Sequence, residues 1–104
     1  MGDAATQTSN HKHVTIINEL GHVDLEEVEV WFERGEQVIW KTPTGHPFRV
    51  VFDGPEGSPF DTDTFHVPAG GMIQSGQARR GGRFKYTVHG PGGANDPILN
   101  LHPP

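Results

Sequence analysis

The chain has 104 residues, of which 33% are apolar, with 14 glycines and 9 prolines; that is room for one domain with one modest core, and too little for a barrel of eight strand–helix units or a full dinucleotide-binding domain. Lys+Arg 8 against Asp+Glu 13 leave a net charge of -5, which argues against binding a nucleic-acid backbone. There is no cysteine, so disulfides, thiolate nucleophiles, iron–sulfur clusters and cysteine zinc sites are excluded.

Residues 1–12 are polar and mixed, and are read as a flexible N-terminal arm ahead of one domain over 13–104. His13 to Ile17 forms the first short strand, closed by Asn18 and a turn around Gly21. Val28, Val30 and Phe32 alternate with Glu27, Glu29, Trp31 and Glu33, the period of a half-buried strand. Arg34-Gly35-Glu36 is a tight turn, and Gln37 to Lys41 resumes the sheet. Thr42-Pro43-Thr44-Gly45 is loop. Phe48, Val50 and Phe52 define the next strand, Gly54 to Pro59 is turn-rich, and Phe65 and Val67 flank His66 on another strand. Residues 72–78 give one more polar strand; Phe84, Tyr86 and Val88 alternate with Lys85, Thr87 and His89; Ile98 to Leu101 closes the chain. Gly90 to Gly93 is read as a flexible connection. No segment carries a helical period over ten residues, so seven or eight short strands, mostly antiparallel, are expected in a sandwich or barrel. Phe32, Trp40, Phe48, Phe52, Phe65, Phe84 and Tyr86 are its expected core.

The order of these segments resembles the cupredoxins, small blue-copper Greek-key β-sandwiches. Val28-x-Val30-x-Phe32-x-x-Gly35-Glu36-Gln37-Val38-x-Trp40 resembles the opening of that family. Thr42 to Phe52 resembles the loop that delivers the first copper histidine, with His46 in that slot. Phe65 to Gly70 resembles the segment ahead of the late strands, and Gly82 to Val88 the strand leading to the copper cysteine. The resemblance covers about residues 13–102 and implies an all-β, cupredoxin-like Greek-key sandwich.

The resemblance also places Val88 at the cysteine position. A valine offers no lone pair, and type 1 copper depends on its thiolate. The loop from His89 to Pro97 holds no second histidine and no methionine. Blue-copper electron transfer is thereby excluded, and the leading expectation is a non-catalytic binding or assembly module with no cofactor. The alternative is a mononuclear copper or other transition-metal protein that uses His46 and His89, with Asp96 or an N-terminal histidine as third ligand. His11-Lys12-His13 is an H-x-H spacing suited to adventitious metal, and His66 reads as a solvated sheet residue. Asp61 and Asp63 share a face of an extended segment but sit in a polar turn, so paired-carboxylate chemistry is not expected. No nucleophile elbow or phosphate loop is present: Gly90-Pro91-Gly92-Gly93 lacks the Lys-Ser/Thr such a loop needs.

Charge is unevenly spread. Glu19 to Glu36 holds seven acids and one base, while Arg79, Arg80, Arg83 and Lys85 crowd into seven residues. This bipolarity suggests a protein partner or a homo-oligomer held by salt-sensitive contacts. No stretch approaches a membrane span, and no signal peptide is visible, so a cytoplasmic location is expected. The alternative is a periplasmic or secreted mature chain recloned behind Met1-Gly2.

Overall fold

The computed structural model of the protein describes residues 11–103; most of the expected arm, residues 1–10, lies outside them, as does Pro104. The strands are β1 (Lys12–Thr15), β2 (Glu27–Trp31), β3 (Val38–Lys41), β4 (Phe48–Val51), β5 (Thr64–Val67), β6 (Met72–Gln74), β7 (Gly82–Lys85), β8 (Thr87–His89), β9 (Ala94–Asn95) and β10 (Ile98–His102). No helix among them is long and apolar enough to cross a membrane.

Period-2 patterning dictates which side of each strand is buried. In β2, Val28 and Val30 are buried while Glu27 and Glu29 face water; in β4, Phe48 and Val50 are buried while Arg49 is exposed. Strand order is β1-β3-β6 in one sheet, β2-β10-β7 in a second and β5-β4-β8-β9 in a third. The last two are joined, because β7 and β8 are halves of one strand interrupted only at Tyr86. The Tyr86 N–H donates to the Pro97 carbonyl at 3.1 Å and carries the ladder across the break. Two layers result, with Val14, Val38 and Trp40 of the first sheet packed against Val30, Val50, Phe84 and Leu99 of the joined pair.

Neighbours in space are mostly not neighbours in sequence: β1 lies beside β3, β2 beside β10 and β4 beside β8. The β1–β3 and β2–β10 pairs are parallel, and the other five pairs among the described residues are antiparallel. The described residues thus form ten strand pieces where seven or eight strands are expected. Counting β7 and β8 as one strand and setting aside the two-residue β9 leaves eight.

The centre of the core is aromatic. Trp40 is fully buried, with ring centroids of Phe65 at 5.0 Å, Tyr86 at 5.7 Å, Phe52 at 6.0 Å and Phe60 at 6.3 Å. Two positions depart from the expected core. Phe60 is buried although it sits just past the turn-rich Gly54–Pro59 stretch, where no period points inward. Phe32 is only partly buried, because the strand ends at Trp31 and Phe32–Arg34 is a single 3-10 turn closed by Gly35 at φ +65°. Glu36 explains why an acid follows that glycine: its buried carboxylate accepts the Trp31 N–H at 2.9 Å and lies 3.6 Å from Arg34.

The Tyr86 hydroxyl and the Trp40 indole N–H are neighbours in the core, but neither makes a hydrogen bond of good geometry among the described residues. Burial pushes the Tyr86 hydroxyl above the ordinary phenol range, so it stays neutral. An unpaired buried hydroxyl costs about 1–3 kcal/mol relative to a paired one. Tyr86→Phe is therefore expected to keep stability within about 1 kcal/mol of the parent, or to raise it, in chemical denaturation. A loss above about 2 kcal/mol would mean that the hydroxyl does bond in the folded protein.

Candidate functional site

The candidate site lies at the end of the sandwich where the 42–47 loop, the turn around Gly21 and the loop after β8 meet. Hydrogen bonds hold the turn: the Ile17 N–H donates to the His22 carbonyl at 2.8 Å and the Leu20 N–H to the Asn18 side chain at 3.0 Å. The turn sits directly on the β8 end. Gly21 has φ +83°, and a Cβ there would overlap the Val88 carbonyl oxygen. A Cβ on Gly90 would overlap the Glu19 carbonyl oxygen and come within 2.7 Å of the Phe48 ring, and the Gly92 N–H donates to Glu19 at 2.9 Å. The glycines expected to make a flexible connection instead permit close packing of one loop on another.

Val88 is fully buried and faces the core. His46 and His89 have different immediate neighbours. His46 is half-exposed, with Nε2 3.7 Å from Glu19 Oε2. His89 lies on the outer face of β8, opposite Arg49 of β4, and lines a groove with Pro47, Phe48, His66 and Gly90. Asp96, considered as a third ligand, instead lies 2.7 Å from the Thr87 hydroxyl and 3.8 Å from Lys85 Nζ. Lys12, between His11 and His13, is the first residue of β1, with Nζ 4.0 Å from buried Glu36. Among the described residues, no three or more His, Asp or Glu side chains converge in a way that would hold a metal ion. Asp61 pairs with Arg79 at 2.7 Å, and Asp63 accepts from the Thr64 hydroxyl, so the two carboxylates do not act together.

One cluster has no counterpart in the sequence reading. The parallel register of β10 on β2 sets His102 beside Trp31 and Asn100 beside Glu29. The His102 and Trp31 rings stack at 4.0 Å with 13° between planes, and the Arg34 guanidinium sits 5.0 Å from the Trp31 ring. His102 Nε2 and Asn100 Nδ2 both hydrogen-bond the Glu29 carboxylate. The bond to His102, then that to Asn100, holds the Glu29 carboxyl below its ordinary range. A depressed carboxyl stabilises the fold above its unfolded value, and that contribution is lost as pH falls through the lower folded value. Carbon-detected NMR titration is expected to place Glu29 below the ordinary carboxylate range, and His102→Ala to move it back upward. A Glu29 midpoint indifferent to His102→Ala would show that the bond does not set it.

The architecture is a cupredoxin-like β-sandwich, and it lacks the cysteine on which a type 1 copper site depends. Two solved structures share the fold. A novel purple cupredoxin from Nitrosopumilus maritimus is 14% identical, over 86% of this chain and 98% of that one, with TM-score 0.63. A Na-dithionite-reduced auracyanin from the photosynthetic bacterium Roseiflexus castenholzii is 17% identical, over 90% of this chain and 98% of that one, with TM-score 0.54. No family model matches the chain, and no curated protein matches it.

Proposed function

We propose that the protein is a non-catalytic binding or assembly module that uses the cupredoxin-like scaffold without copper and engages another protein chain. The observation that carries a protein contact is the turn between β1 and β2. It exposes Ile17 at 51%, Leu20 at 45% and Leu25 at 41%. Single exposed apolar side chains are ordinary on a soluble surface, but three within nine residues of one tightly bonded turn favour a partner surface. Buried Val88 and the Glu19-paired His46 support the copper-free half of the reading.

The unequal charge distribution supports a partner less than the sequence alone suggests. Arg79 pairs with Asp61, Arg83 with Glu27 at 3.0 Å, and Lys85 lies 3.7 Å from Asp53, all within the chain. Arg80 hydrogen-bonds the Glu56 carbonyl and lies over the Phe84 ring at 5.2 Å. A basic cluster already engaged with its own fold has little left to offer a second acidic surface.

Two measurements test the proposal. Protein purified without a histidine tag and titrated with Cu(II) is expected to show no intense thiolate-to-copper absorption, and a chelator is expected to leave its thermal unfolding unchanged. A saturable Cu(II) site abolished by His46→Gln or His89→Gln would overturn the copper-free reading in favour of a mononuclear copper protein. Light scattering across a concentration series is expected to show association that 0.5 M-scale salt, about a 4 Å screening length, leaves in place and that an Ile17→Ser, Leu20→Ser double variant removes. A monomeric mass throughout would remove the homo-oligomer and leave a different protein as the partner.

A further inference from the structure

We propose that the outer face of the β5-β4-β8 ladder is a binding site for a small oxyanion, centred on Arg49 and flanked by His66 and His89. Register places the three residues in one cross-strand row: Arg49 is paired with His66 on one side and with His89 on the other. Facing residues on adjacent antiparallel strands point the same way, with Cβ atoms about 5 Å apart. The row opens into a groove of about 470 Å³ whose other lining residues are Pro47, Phe48 and Gly90. Among the described residues, no carboxylate lines it.

Arg49 is exposed, and its guanidinium has no ion-pair or hydrogen-bond partner among the described residues. This sets it apart from Arg79, Arg83 and Lys85, which face carboxylates within the chain. A guanidinium carries five donors in a planar fork that matches a carboxylate or phosphate group. Each imidazole adds at least one ring N–H donor, so the row offers donors from three strands to a single anion.

The neighbouring charges do not fill the site. The next row on the same face is Thr64, Val51 and Thr87. There the Thr87 hydroxyl lies 2.9 Å from Asp53 and 2.7 Å from Asp96, and Lys85 faces both carboxylates. Ala94 of β9 stands opposite His89 and adds no charge. The Glu19 carboxylate, on the turn that covers Gly90, is directed at His46. The same row disfavours a cation, because the permanent positive charge of Arg49 stands between His66 and His89.

The test is NMR titration of the full chain with inorganic phosphate, and separately with acetate, at one pH and constant ionic strength. Phosphate is expected to shift the Arg49 Nε–H and the His66 and His89 ring signals along a saturating curve. Arg49→Gln is expected to weaken binding at least about tenfold, Arg49→Lys to fall between, and Lys41→Gln to leave it unchanged. Thermal unfolding of Arg49→Gln checks that the fold survives. Saturation with phosphate alone assigns the site to phosphoryl groups; saturation with acetate as well assigns it to oxyanions generally. Shifts that rise linearly with both salts, map to Arg83, or persist unchanged in folded Arg49→Gln would overturn the proposal. This site stands independently of the protein-contact reading, since the apolar turn and the Arg49 row are altered by different substitutions.

Discussion

Replacing Trp40 with alanine is expected to lower the unfolding free energy by about 3–5 kcal/mol, the usual cost of emptying a large buried aromatic site. Trp40 is fully buried and has four aromatic rings with centroids within 6.3 Å. Those neighbours also contact one another: Phe52 lies 5.1 Å from Tyr86 and 5.8 Å from Phe60. A cluster tied together this way closes poorly over a void, so the cavity persists and its cost adds to the lost transfer energy. Domains are stable by only about 5–15 kcal/mol, so the variant would retain a small part of the parent's margin. Urea denaturation measures it directly. Phe32→Ala, at a partly buried position beside the 3-10 turn, is expected to cost less than half as much. A Trp40→Ala loss below about 1 kcal/mol would mean that the aromatic cluster does not anchor the two layers.

The second large effect is expected at Gly90, where an added methyl should cost about 1–3 kcal/mol by overpacking. The side chain would meet the Glu19 backbone and, at 2.7 Å, the edge of buried Phe48, and neither is the free end of a flexible chain. Relief requires the turn before β2 to lift from the loop after β8. The Gly92 amide reports this, because its N–H donates to the Glu19 carbonyl at 2.9 Å. Gly90→Ala is expected to speed hydrogen exchange at Gly92 more than at the Tyr86 amide. Gly35→Ala separates crowding from backbone strain: Gly35 has φ +65° but nothing within 4 Å of an added Cβ. It should lose only the left-handed conformational term, about 1–2 kcal/mol, and leave Gly92 exchange unchanged. Equal Gly92 protection in Gly90→Ala and the parent would show that the contact between the loops is not what holds them.

Much of the fold was legible from local pattern. Alternation in β2 and β4 assigned Val28, Val30, Phe48 and Val50 inward, and all are buried. The absence of cysteine needed no structure at all, and the resemblance to a cupredoxin-like sandwich matches the fold. Local rules failed where the chain leaves its period. Phe60 reaches the core from outside any strand, and Phe32 is turned aside by a 3-10 turn that Gly35 ends.

The candidate sites were not legible, because each depends on register between distant strands. His102 was a terminal residue until parallel pairing with β2 placed it on Trp31 and Glu29. From local pattern His66 read as a solvated sheet residue, His89 as an alternative metal ligand and Arg49 as nothing in particular, until β4 was inserted between β5 and β8 and put the three in one row. The basic run from Arg79 to Lys85 read as a free surface until folding brought Asp61, Glu27 and Asp53 to it. Side-chain alternation follows from the backbone geometry of a single strand, so the residues alone determine which face turns inward. Which strands lie side by side depends on closing loops across the whole chain and filling one shared core, and that choice brings imidazole, guanidinium and carboxylate groups into contact.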